Sequence, residues 1–196
     1  MKSKAITSSN ACDKELIDVS VSCDTSDVTK ELNLYPYWMQ MYIPETLSIP
    51  PQKPDVETIN SINISVNIIR TEVIKTPRSY TSAATPVAVP NLEGKLLSGR
   101  KLIIEGELCQ KVEYTANLID QPVHSAHFYV PFSSYIVVPE TIEFTNGTAI
   151  PTIIDSLDVN FEVNSCIEDI SICLINTRTF LKKVTLLLYA IPTQSN

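Results

Sequence analysis

The chain holds two histidines, His124 and His127, three residues apart in "QPVHSAHFYVPFSSYIVVP", Gln121 to Pro139. Two chemistries suit such a pair, zinc ligation and acid–base catalysis, and both need the imidazoles on one side of an element. Positions i and i+3 share a face on a helix, whereas on a strand they point to opposite faces. Val123, Phe128, Tyr129 and Val130 are β-branched or aromatic and Pro131 removes a backbone donor, so the segment reads as a strand. The histidines then cannot share one metal ion. One is expected to face the core or a sheet interface, and the other to be more exposed.

Five cysteines, Cys12, Cys23, Cys109, Cys166 and Cys173, form no CxxC pair and no zinc spacing. The odd count leaves at least one thiol unpaired within the chain. One reading is buried or idle thiols in a reducing cytoplasm. The other is a cross-link between subunits, for which Cys12 and Cys23 are best placed, lying in the least core-like part of the chain. No strong nucleophile–base pattern, glycine-rich phosphate loop or calcium loop stands out. We therefore expect no catalytic residues, no metal and no cofactor: the protein reads as something other than an enzyme. "NIS" at Asn63 and "NGT" at Asn146 fit the glycosylation pattern, which matters only on a secretory route.

The elements that must position these residues follow from periodicity. "LIIEGELCQKVEYTA" places Leu102, Ile104, Gly106, Leu108, Val112, Tyr114 and Ala116 on one parity, with Glu105, Glu107, Lys111 and Glu113 on the other. "LDVNFEVN" alternates through Leu157, Val159, Phe161 and Val163, and "INISVNI" through Ile62, Ile64, Val66 and Ile68. Thirteen prolines interrupt the chain at intervals that break helices. The fold class is all-β, a two-sheet antiparallel β-sandwich of Greek-key-like connection with an extended N-terminal arm. With four glycines, tight primed hairpin turns should be few, and Asn146–Gly147 is the strong candidate for one. The segment from Thr76 to Gly94 reads as a long surface loop.

Length and charge set further bounds. At 196 residues, 44% hydrophobic and 19% charged, the chain suits a single folded domain with extensions. No apolar run approaches the roughly 20 residues of a membrane-spanning helix. A formal net charge of −7 argues against nucleic acid and anionic membranes as partners, because both reward a basic face. The N-terminus carries no apolar segment of the ~7–15 residues a signal peptide requires.

Three stretches carry a resemblance: "ETLSIPPQKPDVETINSINISVNIIRTEVIKTP", "LEGKLLSGRKLIIEGELCQKVEYTAN" and "QPVHSAHFYVPFSSYIVVP". Their order of KPD, the LxGRKLIIEG strand and VHSAHFxVPFS is similar to the SPOCS domain, a domain of unknown function in spore-coat-associated proteins of anaerobic spore-forming bacteria. The resemblance covers roughly Glu45 to the C-terminus. It implies a structural module of the spore envelope, made without a signal peptide in the mother-cell cytoplasm and deposited on the spore surface, in coat or exosporium. Morphogenetic members carry a LysM module after the domain. None precedes Asn196, which favours a small coat, exosporium or appendage component. Its expected partners are copies of itself, as a homo-oligomer, and other spore-envelope proteins.

The chain thus divides into an arm, residues 1–44, and a domain, residues 45–196. The arm concentrates Tyr35, Tyr37, Trp38, Met39, Met41 and Tyr42, which either cap the sandwich of their own chain or anchor a contact with another subunit. "LIDVSVS" alternates through Leu16, Val19 and Val21 like a strand that can be donated to a neighbouring sheet edge, and Cys12 and Cys23 flank it. Those residues are the candidate assembly segment. The alternative function is a non-catalytic β-sandwich binding module for carbohydrate or another coat protein.

Overall fold

The computed structural model describes residues 18–19, 25–78, 97–144 and 151–193. In chain order the elements are β1 (Asp18–Val19), α1 (Thr25–Leu34), β2 (Trp38–Ser48), β3 (Val56–Arg78), β4 (Ser98–Ala116), β5 (Val123–Val137), β6 (Thr141–Phe144), β7 (Thr152–Asp155), a short 3₁₀ turn (Ser156–Asp158), β8 (Asn160–Asn176) and β9 (Thr179–Thr193). The four-stranded sheet A has the order β1-β3-β4-β5, the three-stranded sheet B the order β2-β9-β8, and β6 pairs with β7. Apart from β1, which lies parallel to β3, the pairings are antiparallel. The all-β sandwich read from the sequence is the observed fold.

The connections show why the turns are not all tight hairpins. β3, β4 and β5 follow one another in sheet A, and β8 and β9 form a hairpin in sheet B. β2 joins sheet B beside β9, pairing Trp38 with Tyr189 and Ser48 with Thr179 from the far end of the chain. It begins at Trp38, so the sandwich takes in part of the segment that the sequence reading assigned to the arm. Thr76 to Arg78 belong to the end of β3. The remainder of the expected Thr76–Gly94 loop, and the Asn146–Gly147 turn, lie outside the described residues.

Alternation puts the core between the sheets. Leu102, Ile104, Leu108, Val112, Tyr114 and Ala116 on β4 are buried, as are Ile62 and Ile64 on β3. Val184, Leu186, Leu188 and Ala190 of β9 meet them from sheet B. Phe128 and Phe180 pack edge to face across the interior, with ring centroids 5.6 Å apart, an arrangement that matches positive ring edge to negative ring face. Leu157 departs from its expected strand parity. It sits in the 3₁₀ turn and is partly exposed, because the Asp155 carboxylate accepts the Leu157 N–H and curls the chain before β8 starts.

Candidate functional site

The outer face of sheet A carries most of the chemistry-bearing side chains. Register places Asn63, Lys111 and His127 in one cross-strand row and Ser65, Cys109 and Tyr129 in the next. These residues line an open hollow of about 180 Å³. His127 is exposed, while His124 points the other way and stacks on Tyr114 with centroids 5.9 Å apart. The expectation of opposite faces holds.

Cys109 is a free thiol. Burial pushes its pKa up, and the Glu107 carboxylate, which accepts its Sγ–H at 3.8 Å, pushes it further. A raised pKa disfavours the thiolate, the nucleophilic form of cysteine. Further along the same face of β5 stand the exposed Tyr129, Pro131 and Tyr135, and Lys101 Nζ lies 3.8 Å from the Tyr135 ring centroid. Amide, hydroxyl, amine and phenol groups on a flat sheet suit hydrogen bonding and stacking against a partner.

Of the candidate assembly residues, Cys12, Leu16, Val21 and Cys23 lie outside the described residues. Val19 is in β1, opposite Ile62. The Tyr35 and Tyr37 rings lie 6.4 Å apart, and Tyr37 meets Phe161 edge-on at 6.3 Å. Burial pushes the Tyr37 phenol above its ordinary pKa, with Tyr35 and Glu143 adding to the shift. Met39 and Met41 pack against the core, and Met39 Sδ accepts from the Ser134 hydroxyl of β5 at 2.6 Å. Trp38 and Tyr42, 49% and 57% exposed, take the opposite parity of β2. The two roles proposed for this aromatic cluster thus divide along the strand: Tyr37, Met39 and Met41 close their own sandwich, and Trp38 and Tyr42 face outward.

Idle thiols are not the state of Cys166 and Cys173, which are disulfide-bonded. Both lie on β8, separated by seven positions, or about 23 Å at ~3.3 Å per residue, far beyond disulfide reach. The two are therefore not bonded to each other, and the reading of idle thiols does not apply to them.

Two polar groups were not singled out by the sequence reading. Arg178, in the β8–β9 turn, donates to the carbonyls of Ile49 and Pro50 at 3.2 and 2.8 Å, to that of Lys53 at 3.2 Å, and to the Asp55 carboxylate. One guanidinium thereby fastens the β2–β3 connection to sheet B. The other group is Glu45, Gln110 and Lys182, from β2, β4 and β9. Lys182 is wholly buried and ion-paired with Glu45, and Gln110 Nε2 donates to Glu45 Oε2 at 3.3 Å. The signal was present in the sequence, since Gln110 occupies the apolar parity of its strand between Leu108 and Val112.

Nothing among curated proteins or solved structures matches the chain. The family described as "SipL, SPOCS domain" matches residues 55–175, which include β3, β4 and β5 of sheet A and most of β8. That match spans more than half of the sequence and includes the LxGRKLIIEG and VHSAHFxVPFS stretches: the chain belongs to the SPOCS domain family.

Proposed function

We propose that this spore-related SPOCS protein is a non-catalytic structural component of the spore envelope, in coat, exosporium or appendage, and that it self-associates through its N-terminal arm. The observation that carries this reading is β1. Within the alternating "LIDVSVS" segment, Asp18 and Val19 lie beside Ser61 and Ile62 as an added strand at the edge of sheet A. A segment able to extend its own sheet can extend that of a second copy by the same backbone hydrogen bonds, which is the geometry of strand exchange. β5 forms the opposite edge of sheet A, where a long row of backbone donors and acceptors invites pairing. The outward Trp38 and Tyr42 supply aromatic anchors of the kind that dominate protein contacts. Copies of itself and other envelope proteins are the partners, and the spore surface, reached from the mother-cell cytoplasm, is the location.

Negative-stain electron microscopy of the purified full chain tests the reading. Ordered fibres or arrays are expected; dispersed monomers at high concentration count against it. A second reading, a binding module for carbohydrate or another coat protein, draws on the exposed Tyr129 and Tyr135 of β5. Saturable glycan binding by a monomeric chain, lost on Tyr129→Ala, would favour it.

A further inference from the structure

The cluster of Glu45, Gln110 and Lys182 lies on the inward parity of β2, β4 and β9, inside the sandwich. The Lys182 side chain is 0% exposed and that of Glu45 is 9% exposed. Their surroundings are apolar. On β4 Gln110 lies between Leu108 and Val112, opposite Ile64 on one side and Phe128 on the other. On β9 Lys182 has Phe180 and Val184 as its inward neighbours and Ile172 opposite, while Glu45 directly faces it from β2, between Ile43 and Leu47 on the inward parity. Lys182 is the one charged residue classed as fully buried among the described residues.

As a purely structural ion pair the arrangement is poorly made. A buried pair approaches break-even only when the remaining polar atoms are satisfied, yet Glu45 Oε1 and Gln110 Oε1 are buried with no hydrogen-bond partner. The same surroundings suit a different state. Burial lowers the proton affinity of the Lys182 amine, against the opposing pull of the Glu45 carboxylate. A single proton transfer within the pair then removes both charges and leaves a neutral amine beside a carboxylic acid. An amine nucleophile, Lys182 Nζ, and a carboxamide, that of Gln110, therefore meet at one oxygen of the proton carrier, Glu45 Oε2, held by packing from both sheets.

We propose that Lys182 and Gln110 become joined by an amide bond, with Glu45 as the proton carrier, so that the protein covalently staples its two sheets. The neutral Lys182 Nζ attacks Gln110 Cδ, forming the C–N bond. The Glu45 carboxyl gives its proton to Gln110 Nε2, which leaves as ammonia when the Cδ–Nε2 bond breaks, and regains a proton from Lys182 Nζ. The products are a secondary amide, one ammonia and an unchanged Glu45; nothing is oxidised or reduced. The bond ties β4 of sheet A to β9 of sheet B. It is a single self-modification, with no turnover of a substrate.

The test is intact-mass measurement of the full-length chain after its disulfides are reduced. A mass below that of the sequence by one ammonia is expected, together with a branched peptide joining the segments that contain Gln110 and Lys182. Lys182→Met, an apolar replacement of similar length, should restore the unmodified mass and abolish the branched peptide. Succinimide formation at Asn146–Gly147 would release the same ammonia, so loss of ammonia without the branched peptide overturns the proposal. A full sequence mass in the wild-type chain overturns it as well, and that measurement does not depend on any variant folding. Loss of one water instead, with Glu45 in the branched peptide, overturns Gln110 as the electrophile.

Discussion

Replacing Gly106 with alanine is expected to destabilise the protein by about 2 kcal/mol, although the same change in an ordinary strand would help. Gly106 is on the inward parity of β4, directly opposite Phe132 of β5. A Cβ there would lie 2.6 Å from Phe132 Cζ and 2.8 Å from the carbonyl oxygen of Asn67 on β3. Both are far inside the ~3.5–4.0 Å at which carbon contacts are most favourable. The ring is itself buried, and the carbonyl belongs to the backbone of the neighbouring strand, so neither can simply swing away. Overpacking of this kind costs about 1–3 kcal/mol, and a backbone contact argues for the upper end. Against it stands a gain of up to about 1 kcal/mol from removing a strand-interior glycine. The difference corresponds to a fall in melting temperature of about 4–8 °C for a chain of this size, read by thermal and urea unfolding followed by circular dichroism. In a Phe132→Leu background the penalty should shrink but persist, because the Asn67 contact remains. A Gly106→Ala protein as stable as the wild type, or more so, would refute the close-approach argument.

The core face of β4 makes a paired prediction: Leu108→Asp, which buries an unpaired charge, should cost about 4 kcal/mol or more, and Glu107→Asp, on the outer face, less than about 0.5 kcal/mol. Equal losses in urea titration would mean that both faces are buried. The hydrogen bond from Arg178, with a second from Thr177, holds the Asp55 carboxyl below its ordinary pKa. The folded state therefore binds fewer protons than the unfolded chain; the contribution is complete above the ordinary carboxylate pKa and disappears as pH falls through the depressed folded value. Asp55→Asn should flatten the acid limb of a stability–pH profile, and an unaltered limb would show that the contact has no energetic consequence. His124→Gln should lose the stacking on Tyr114, about 0.5–1.5 kcal/mol, whereas His127→Gln should leave unfolding unchanged; the reverse order would invert the faces of β5.

Period-two alternation made the strands legible because each sheet has one dry face, so Leu102 through Ala116 and Ile62 through Ile68 could be assigned inward without coordinates. It also separated His124 from His127. What alternation cannot supply is which strands become neighbours. β2 pairs with β9 across more than a hundred residues, and this pairing is what brings Glu45 to Lys182. Gln110 was visible as a polar residue at an apolar position, but its partners belong to the other sheet. Leu157 fitted the pattern and still departed from it, because a local side-chain hydrogen bond from Leu157 N–H to Asp155 overrode the periodicity. The disulfides of Cys166 and Cys173 were illegible for a similar reason, since connectivity depends on tertiary approach and not on spacing.

Sedimentation velocity of the full-length chain over a range of concentrations tests the central claim, self-association by strand addition, most directly. The wild-type protein is expected to form concentration-dependent oligomers, and Val19→Pro, which removes a backbone donor from β1, should reduce them while leaving the circular dichroism of the sandwich intact. A single monomeric species at every concentration, identical in both proteins, would contradict it.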